Sequence, residues 1–225
     1  MRQSTNTGSM LIEVAASVAV LGLLAATSFG IFRDASVAQE GRAAAASIHE
    51  ARQRVLEFAL ANGRLPCPDM TGNGVEGDAA GNCPPAQGYG FLPTHSLGMD
   101  ADASQTPNRR IRYGIARMAP DADLGASATT GDPDPAKRFL ARAERAAAYP
   151  ATTSQPFIPK TDTLGLARNC QTPGDNPAFV ISAGRPEELG STVCFPVADA
   201  QRNAATFMGR HELVGWIRSK FRSAS

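Results

Sequence analysis

The stretch Gly8-Ser9-Met10-Leu11-Ile12-Glu13, with the apolar run that follows it to Phe32, decides how this chain is organised. Between Met10 and Phe32 the one ionisable residue is Glu13. At about 1.5 Å rise per residue, these positions make a helix of roughly 34 Å, which is enough to cross a hydrocarbon core of about 30 Å. The pattern predicts a transmembrane helix over residues 9–32 with a carboxylate near its start.

Two simpler interpretations of this stretch are a plain membrane anchor and a secretory signal peptide. A signal peptide has a shorter apolar core, and its small-residue cleavage site follows that core. Here the apolar run is longer, and the small pair Gly8-Ser9 precedes it. A charge inside a membrane span is costly and usually has a partner. The carboxylate of Glu13 therefore favours a function beyond anchoring.

The junction resembles the class III leader of type IV pilins and type II secretion pseudopilins. That resemblance implies a leader over residues 1–8, cleavage by prepilin peptidase between Gly8 and Ser9, and N-methylation of Ser9. It also implies that Glu13, the fifth residue of the mature chain, acts in assembly. The family usually has Phe where Ser9 stands, and the leader here carries one basic residue, Arg2.

Elementary electrostatics supports this assembly role for Glu13. After cleavage, the new ammonium group of Ser9 lies four residues, one helical turn, from the carboxylate. Between chains stacked with an axial offset, the amine of one subunit would neutralise Glu13 of its neighbour. Buried polar pairs of this kind specify register.

The helix is predicted to continue beyond the apolar run, through residues 33–62, as an amphipathic segment. Its apolar residues recur at spacings of three, four and seven, as in a helix with one buried face; they are Val37, Ala44, Ile48, Ala51, Val55 and Phe58. Asn62-Gly63 is a typical helix end. A single helix from Ser9 to Ala61 would span roughly 80 Å, leaving residues 63–225 as a globular head.

The segment between Cys67 and Cys83 has two interpretations. Asp69, Thr71 and Asn73 occupy positions 1, 3 and 5 of a calcium-type loop and Gly74 occupies position 6, with Glu76 or Asp78 as a substitute for the acid at position 12. The twelfth position is Ala80, however, so the bidentate acid of such a loop is missing. The alternative, which we favour, is a glycine-rich turn loop closed by a disulfide, with solvated acids and no cofactor.

The chain has four cysteines, which allow three pairings. Cys67–Cys83 is favoured because the intervening loop is short and flexible. Cys170–Cys194 would then join the segments around two predicted strands. Two disulfides indicate an oxidising compartment such as the periplasm.

A second resemblance lies further along the chain, in Leu65-Pro66-Cys67-Pro68-Asp69, Gly90-Phe91-Leu92-Pro93 and Asn108–Tyr113. These resemble the LPCPD turn, the G-[FY]-LP segment and the N-R-[IL]-R-Y strand of a subgroup of pseudopilin-like prepilins. Ile111, Tyr113 and Ile115 alternate with Arg110, Arg112 and Ala116, which predicts a half-buried strand. We interpret the arginines there as a solvated outer face; no nucleic acid is expected, because aromatic residues do not interleave with them.

The rest of the chain is predicted to contain short elements. Residues 119–163 are interpreted as a variable insertion holding a helix over Lys137–Tyr149. Phe179–Ser182 and Thr192–Val197 are predicted as strands around a turn at 184–190. The chain is predicted to end in an amphipathic helix, Glu212–Phe221.

Motifs for catalysis are missing from the sequence. His49, His95 and His211 are far apart, with no metal-binding spacing. There is no GxSxG motif and no Gly-rich phosphate loop. The net charge of +1 gives no reason to expect a polyanion as partner. We therefore expect a protein that is not an enzyme.

The sequence thus predicts an α+β, pilin-like fold: a long N-terminal transmembrane-plus-amphipathic helix packed on a small antiparallel sheet with disulfide-closed loops. The resemblance implies a structural subunit of a type II secretion pseudopilus or type IV pilus-like filament. It also implies a single-pass inner-membrane location before assembly, with a periplasmic head. The partners would be prepilin peptidase, other pilin subunits, an inner-membrane assembly platform and the lipid bilayer. The alternatives are a minor type IV pilin for adhesion or DNA uptake and a membrane-anchored periplasmic binding domain that never polymerises.

Overall fold

One long helix makes up most of the first 62 residues of the chain. The computed structural model describes residues 7–84, 87–99, 111–126, 134–160, 170, 172–183, 193–195 and 204–222. Its first element, α1, is a 56-residue helix over Thr7–Asn62. Gly63 ends it with a φ of 60°, and the Gly63 amide donates to the carbonyl of Ala59 at 3.0 Å. This left-handed glycine is a common helix stop. The single long helix predicted from the sequence is confirmed.

The predicted membrane span within α1 is wrong. No helix in the part of the chain that the structure describes has both the length and the apolar character needed to cross a membrane. The single-pass inner-membrane location with a periplasmic head depended on that span and is wrong with it.

The head is built from short elements that follow α1. In chain order, the described residues form β1 (Tyr89–Phe91), β2 (Ile111–Ile115), α2 (Pro135–Ala148), β3 (Ile158–Pro159), β4 (Pro173–Asp175), β5 (Phe179–Ala183), β6 (Ala204–Met208) and α3 (Arg210–Arg222). Four strands form an antiparallel sheet in the order β1-β2-β5-β6, and β3 pairs with β4. The predicted α+β class with a small antiparallel sheet is confirmed.

One face of the sheet carries the main core. Ile111, Tyr113 and Ile115 of β2 are buried on that face, as the alternation in the sequence predicts. Helix α1 packs on β5 and β6, and α2 and α3 pack against each other. All three helices contribute side chains to one continuous buried cluster.

The opposite face of the sheet is covered by the segments that contain Phe157 and Phe195, both about 1% exposed. The backbone of β2 lies close to these segments at Gly114. A Cβ at Gly114 would lie 2.8 Å from Pro156 and 3.0 Å from the ring of Phe195, so a larger residue does not fit without movement. A disulfide holds this covering layer, as described below.

Several strand and helix predictions need correction. The partners of β5 are β2 and β6, whereas the sequence predicted a strand over Thr192–Val197. Of that segment only residues 193–195 are described, and Cys194 forms a single bridge with Phe157. The predicted turn at 184–190 lies outside the described residues. Helix α2 was assigned to a variable insertion, but its residues Phe139, Ala143 and Ala146 belong to the core.

Candidate assembly site

Helix α1 consists of two parts with different surroundings. From Ile48 onward it contributes buried residues to the head, namely Ile48, Ala51, Val55 and Ala59, each 4% exposed or less. Among the described side chains of α1 that precede Ile48, none is buried. The 41 residues from Thr7 to Ser47 correspond to about 60 Å of helix ahead of the first buried residue.

The N-terminal part of α1 presents large apolar side chains to solvent. Val14, Val18, Val20 and Leu21 are 58–65% exposed. These four residues are called the apolar segment of α1 below. Single exposed apolar residues are ordinary on a protein surface, but four within eight positions of one helix form a patch of the kind that marks an interaction surface.

The other end of α1 is fixed to the head by polar contacts as well as by packing. The Arg52 guanidinium donates to the hydroxyl of Thr206 at 3.0 Å and to the carbonyl of Phe207 at 2.8 Å, both on β6. It also pairs with Glu212 of α3 at 2.7 Å. Arg52 therefore links the helix to the edge strand of the sheet and to α3.

The predicted processing residues lie in the first two turns of α1. Gly8 and Ser9 follow directly on its first residue, Thr7, and Glu13 lies about one turn further on. The first helical turn has no intrahelical partners for its amide groups and frays readily. The side chains of these residues lie outside the described residues, so the predicted contact between Ser9 and Glu13 stays a prediction.

The loop between Cys67 and Cys83 is organised around Asp69, which is 1% exposed. Its Oδ1 accepts hydrogen bonds from the amides of Thr71 at 2.8 Å and Gly72 at 2.7 Å, and from the Thr71 hydroxyl at 3.1 Å. Its Oδ2 accepts from the amide of Gly74 at 2.7 Å. The backbone of Asp69 is also paired with Phe91 of β1 in both directions, which ties the loop to the edge of the sheet.

Glu76 of the same loop has a different set of partners. It forms a two-bond ion pair with Arg64, at 2.6 and 2.9 Å, and accepts from the amide of Cys67 at 3.0 Å. Burial by itself raises the pKa of Glu76, but the Arg64 hydrogen bonds, the Cys67 amide and the Arg64 charge outweigh it. The net pKa of Glu76 is lowered below its ordinary value of 4.5.

The remaining predicted calcium ligands lie nearer the loop surface. Asp78 accepts from the amides of Ala80 and Asn82, both at 2.9 Å, and these bonds contribute to a lowered pKa of Asp78. Asn73 caps the amide of Val75 at 2.8 Å. The candidate ligands thus bind protein donors separately, and the described residues contain no group of three acidic, histidine or cysteine side chains suited to a metal. Calcium binding stays a prediction, and this geometry gives it no support.

Both predicted disulfides are present. Cys67 pairs with Cys83, with Cα atoms 5.9 Å apart, and Cys170 pairs with Cys194, with Cα atoms 5.7 Å apart. The first closes the loop around Asp69. The second joins Cys170 to Cys194, which directly precedes Phe195 in the layer that covers the sheet.

Sequence reasoning missed one buried cluster beside the first disulfide. Arg117 was interpreted as part of a solvated strand face, but it is 6% exposed and its guanidinium forms three hydrogen bonds with Asp123 at 2.7–3.0 Å. Its Nη1 also donates to the Sγ of Cys83 at 3.1 Å and to the carbonyl of Pro84. The Arg117 amide and carbonyl are both bonded by the side chain of Gln155. The only signal for this cluster in the sequence was an acidic residue, Asp123, six positions after Arg117.

The three histidines are dispersed, as the sequence suggests. His49 lies on α1, His95 follows β1 and His211 is the second residue of α3, and all three are exposed. A groove of about 200 Å³ lies between the end of α1 and helices α2 and α3, and it is lined mainly by apolar side chains such as Leu60, Phe139 and Trp216. Among the described residues, neither these histidines nor the side chains that line the groove form a catalytic pair.

Comparison of the chain with models of protein families, with curated proteins and with solved structures finds no match in any of the three.

Proposed function

We propose that this protein is a structural subunit of a filament of the type II secretion pseudopilus or type IV pilus class, assembled through α1. The observation that carries the proposal is the division of α1 into a part packed on the head and an exposed part with the apolar segment. A monomer gains nothing from exposing such residues on a projecting helix. Copies of α1 packed side by side would bury them.

The apolar segment is large enough to contribute to assembly. Fully burying a Val or Leu side chain stabilises by about 1.5–3 kcal/mol. Four such residues that are 58–65% exposed would therefore contribute on the order of 4–7 kcal/mol per subunit when covered. Part of this is offset by the entropy lost on association. The packing of α1 against neighbouring copies would thus be favourable but not specific.

Specificity in this proposal comes from Glu13. Processing between Gly8 and Ser9 would place a new ammonium group one helical turn before the Glu13 carboxylate. An apolar helix interface can slide, whereas a charge buried in it has to meet an opposite charge. Pairing of Glu13 with the Ser9 amine of an adjacent subunit would fix the axial offset between copies. The sequence resemblance around Gly8–Glu13 and Leu65–Asp69 supports this class of filament.

The partners that follow from the proposal are prepilin peptidase, other pilin-like subunits and an assembly platform driven by a separate ATPase. The experiment compares Glu13→Ala with Glu50→Ala, a matched control because Glu50 is an exposed residue on the head-bound part of the same helix. Each variant is expressed in the native host, and its share in the sheared filament fraction is measured by immunoblot.

We expect Glu13→Ala to be produced and processed normally but to fall at least tenfold in the filament fraction, whereas Glu50→Ala stays at the wild-type level. Equal incorporation of both variants, with both present in filaments, would show that Glu13 does not set register. Absence of the wild-type chain from any filament fraction would contradict the proposal as a whole.

A further inference from the structure

The two sulfurs of the loop disulfide have unlike surroundings. Cys67 is 2% exposed, and its Sγ lies 3.7 Å from the carbonyl oxygen of Gly125. Cys83 is half-buried, and its Sγ accepts from the Arg117 guanidinium at 3.1 Å. A carbonyl oxygen disfavours a negative charge beside it, and a guanidinium favours one. After reduction, the thiolate would therefore form at Cys83 in preference to Cys67.

The position of Cys83 does not depend on the disulfide alone. Asp78 bonds the amide of Asn82 with its side chain, its own amide donates to the Asn82 carbonyl at 2.8 Å, and Arg117 bonds the carbonyl of Pro84. Residues on both sides of Cys83 are therefore held in place by other contacts. The buried pair of Arg117 with Asp123 in turn fixes the guanidinium. None of these contacts depends on the S–S bond, so we expect a reduced but folded chain to keep them.

The other end of the loop is held in the same way. The amide of Cys67 donates to Glu76, which is paired with Arg64, and the next acid, Asp69, gathers four donors. These contacts would keep both cysteines near each other in the reduced chain. The two cysteines differ in access and in their hydrogen-bond partner, since the Sγ of Cys83 accepts from the guanidinium that Asp123 fixes, and both differences favour reaction at Cys83.

We propose that Cys83 is the site at which this protein exchanges with an external disulfide, and that Arg117 positions and stabilises its reactive thiolate while Cys67 acts second. This inference is independent of the proposed assembly role of α1. It assigns the two cysteines different tasks in forming one bond, and it gives Arg117 a purpose beyond packing.

The exchange balances in two steps. The Cys83 thiolate attacks one sulfur of an external disulfide, R–S–S–R, which forms a mixed disulfide at Cys83 and releases RS⁻. Cys67 then loses its proton to solvent or to that thiolate, and its sulfur attacks the Cys83 sulfur and expels the second RS⁻. Two protein thiols are oxidised and one external disulfide is reduced to two thiols.

The test uses the full-length chain, reduced without denaturant, with glutathione disulfide as the probe. Mixed disulfides are trapped by acid at short times and located by peptide mapping. We expect adducts at Cys83 to exceed those at Cys67 by at least tenfold. In concentrated urea, where Arg117 no longer lies beside Cys83, the two cysteines should react at rates within a few-fold of each other. Equal adducts in the folded chain, or an excess that persists in urea, would overturn the proposal.

Single-cysteine variants test the same point by rate. In Cys67→Ala, the rate of glutathionylation of Cys83 should reach its half-maximum at a pH below that of an ordinary thiol, about 8.5. In Cys83→Ala, the remaining Cys67 should react at least tenfold more slowly at neutral pH. The reverse order of rates would contradict the assignment.

A third variant separates positioning from general stability. Asp78→Ala removes the cap that holds Asn82, next to Cys83, without touching either sulfur or Arg117. Because Asp78 lies near the surface, the fold should tolerate this change. We expect the preference for Cys83 over Cys67 to fall several-fold toward the value in urea. A preference unchanged from wild type would show that preorganisation of Cys83 is not the cause.

Discussion

Asp69 offers the sharpest test of how the first loop of the head is held. Its two carboxylate oxygens accept four hydrogen bonds at 2.7–3.1 Å, from Thr71, Gly72 and Gly74. The substitution Asp69→Asn keeps the size of the side chain but replaces one oxygen by an amide group that donates. If the oxygen of the new side chain faces Thr71 and Gly72, its NH₂ group faces the buried amide of Gly74, which is also a donor.

The expected loss in the free energy of unfolding follows from these contacts. Leaving the Gly74 amide unpaired costs about 1–3 kcal/mol, because it is buried away from water. The three remaining bonds change from charge-assisted to neutral, which weakens each of them by roughly half. Removing a buried charge offsets part of that loss. We expect a net loss of about 2–4 kcal/mol in the free energy of unfolding, and a fall on the order of 5–15 °C in Tm.

The assay is urea unfolding of the full-length chain with both disulfides intact. Asn73→Ala is the matched control, since Asn73 lies in the same loop, is exposed and caps the amide of Val75 alone. The control should lose about 1 kcal/mol or less. An equal, small loss in both variants would refute the account of Asp69 as the organising residue. So would calcium-dependent stabilisation of the wild type that disappears in Asp69→Asn, because Asp69 would then be a metal ligand.

Three further predictions concern the stability of the head. The pKa of Glu76 is lowered in the folded state, because its bonds to Arg64 and to the Cys67 amide outweigh the effect of burial. The contribution of Glu76 to the free energy of unfolding is therefore complete above the unfolded pKa, near 4.5, and is lost as the pH falls through the folded pKa. Between pH 7 and pH 3 the free energy of unfolding should fall less in Glu76→Gln than in the wild type, and equal falls would contradict this. The hydroxyl of Tyr113 is buried without a hydrogen-bond partner among the described residues, so Tyr113→Phe should raise the free energy of unfolding by about 1 kcal/mol, and a loss of that size would mean that a partner exists. Removing the second disulfide by Cys170→Ala with Cys194→Ala should cost about 2–4 kcal/mol, measured in urea, whereas a change below 1 kcal/mol would show that the covering layer does not need it.

The fold was predictable where a pattern among neighbouring residues continues without interruption along the chain. No proline interrupts the chain between Ser9 and Asn62, and Gly63 marks the stop, so α1 follows from the sequence. The alternation over Ile111–Ile115 similarly places β2. The partner of β5 was not predictable, because Ala204–Met208 has a weak apolar pattern and pairs by tertiary context.

The candidate site was predictable only in part. The short loop between Cys67 and Cys83 favoured a disulfide between these two residues. The role of Asp69 was not predictable, because it depends on where the fold places three backbone amides. The membrane span was inferred from apolar composition over residues 9–32, and it is wrong because no helix in the described part of the chain has the length and apolar character to cross a membrane. Arg117 resembled a surface arginine because its neighbours Asp123 and Cys83 come together only in the fold.

The central claim, that α1 is an assembly helix freed by processing at Gly8, is tested most directly by intact mass and N-terminal sequencing of the protein isolated from its native host. The account predicts a chain that begins at N-methylated Ser9. A chain that still begins at Met1, in a host whose prepilin peptidase processes other substrates, would contradict it. Glu13 would then need another explanation, and the exposed apolar segment another partner.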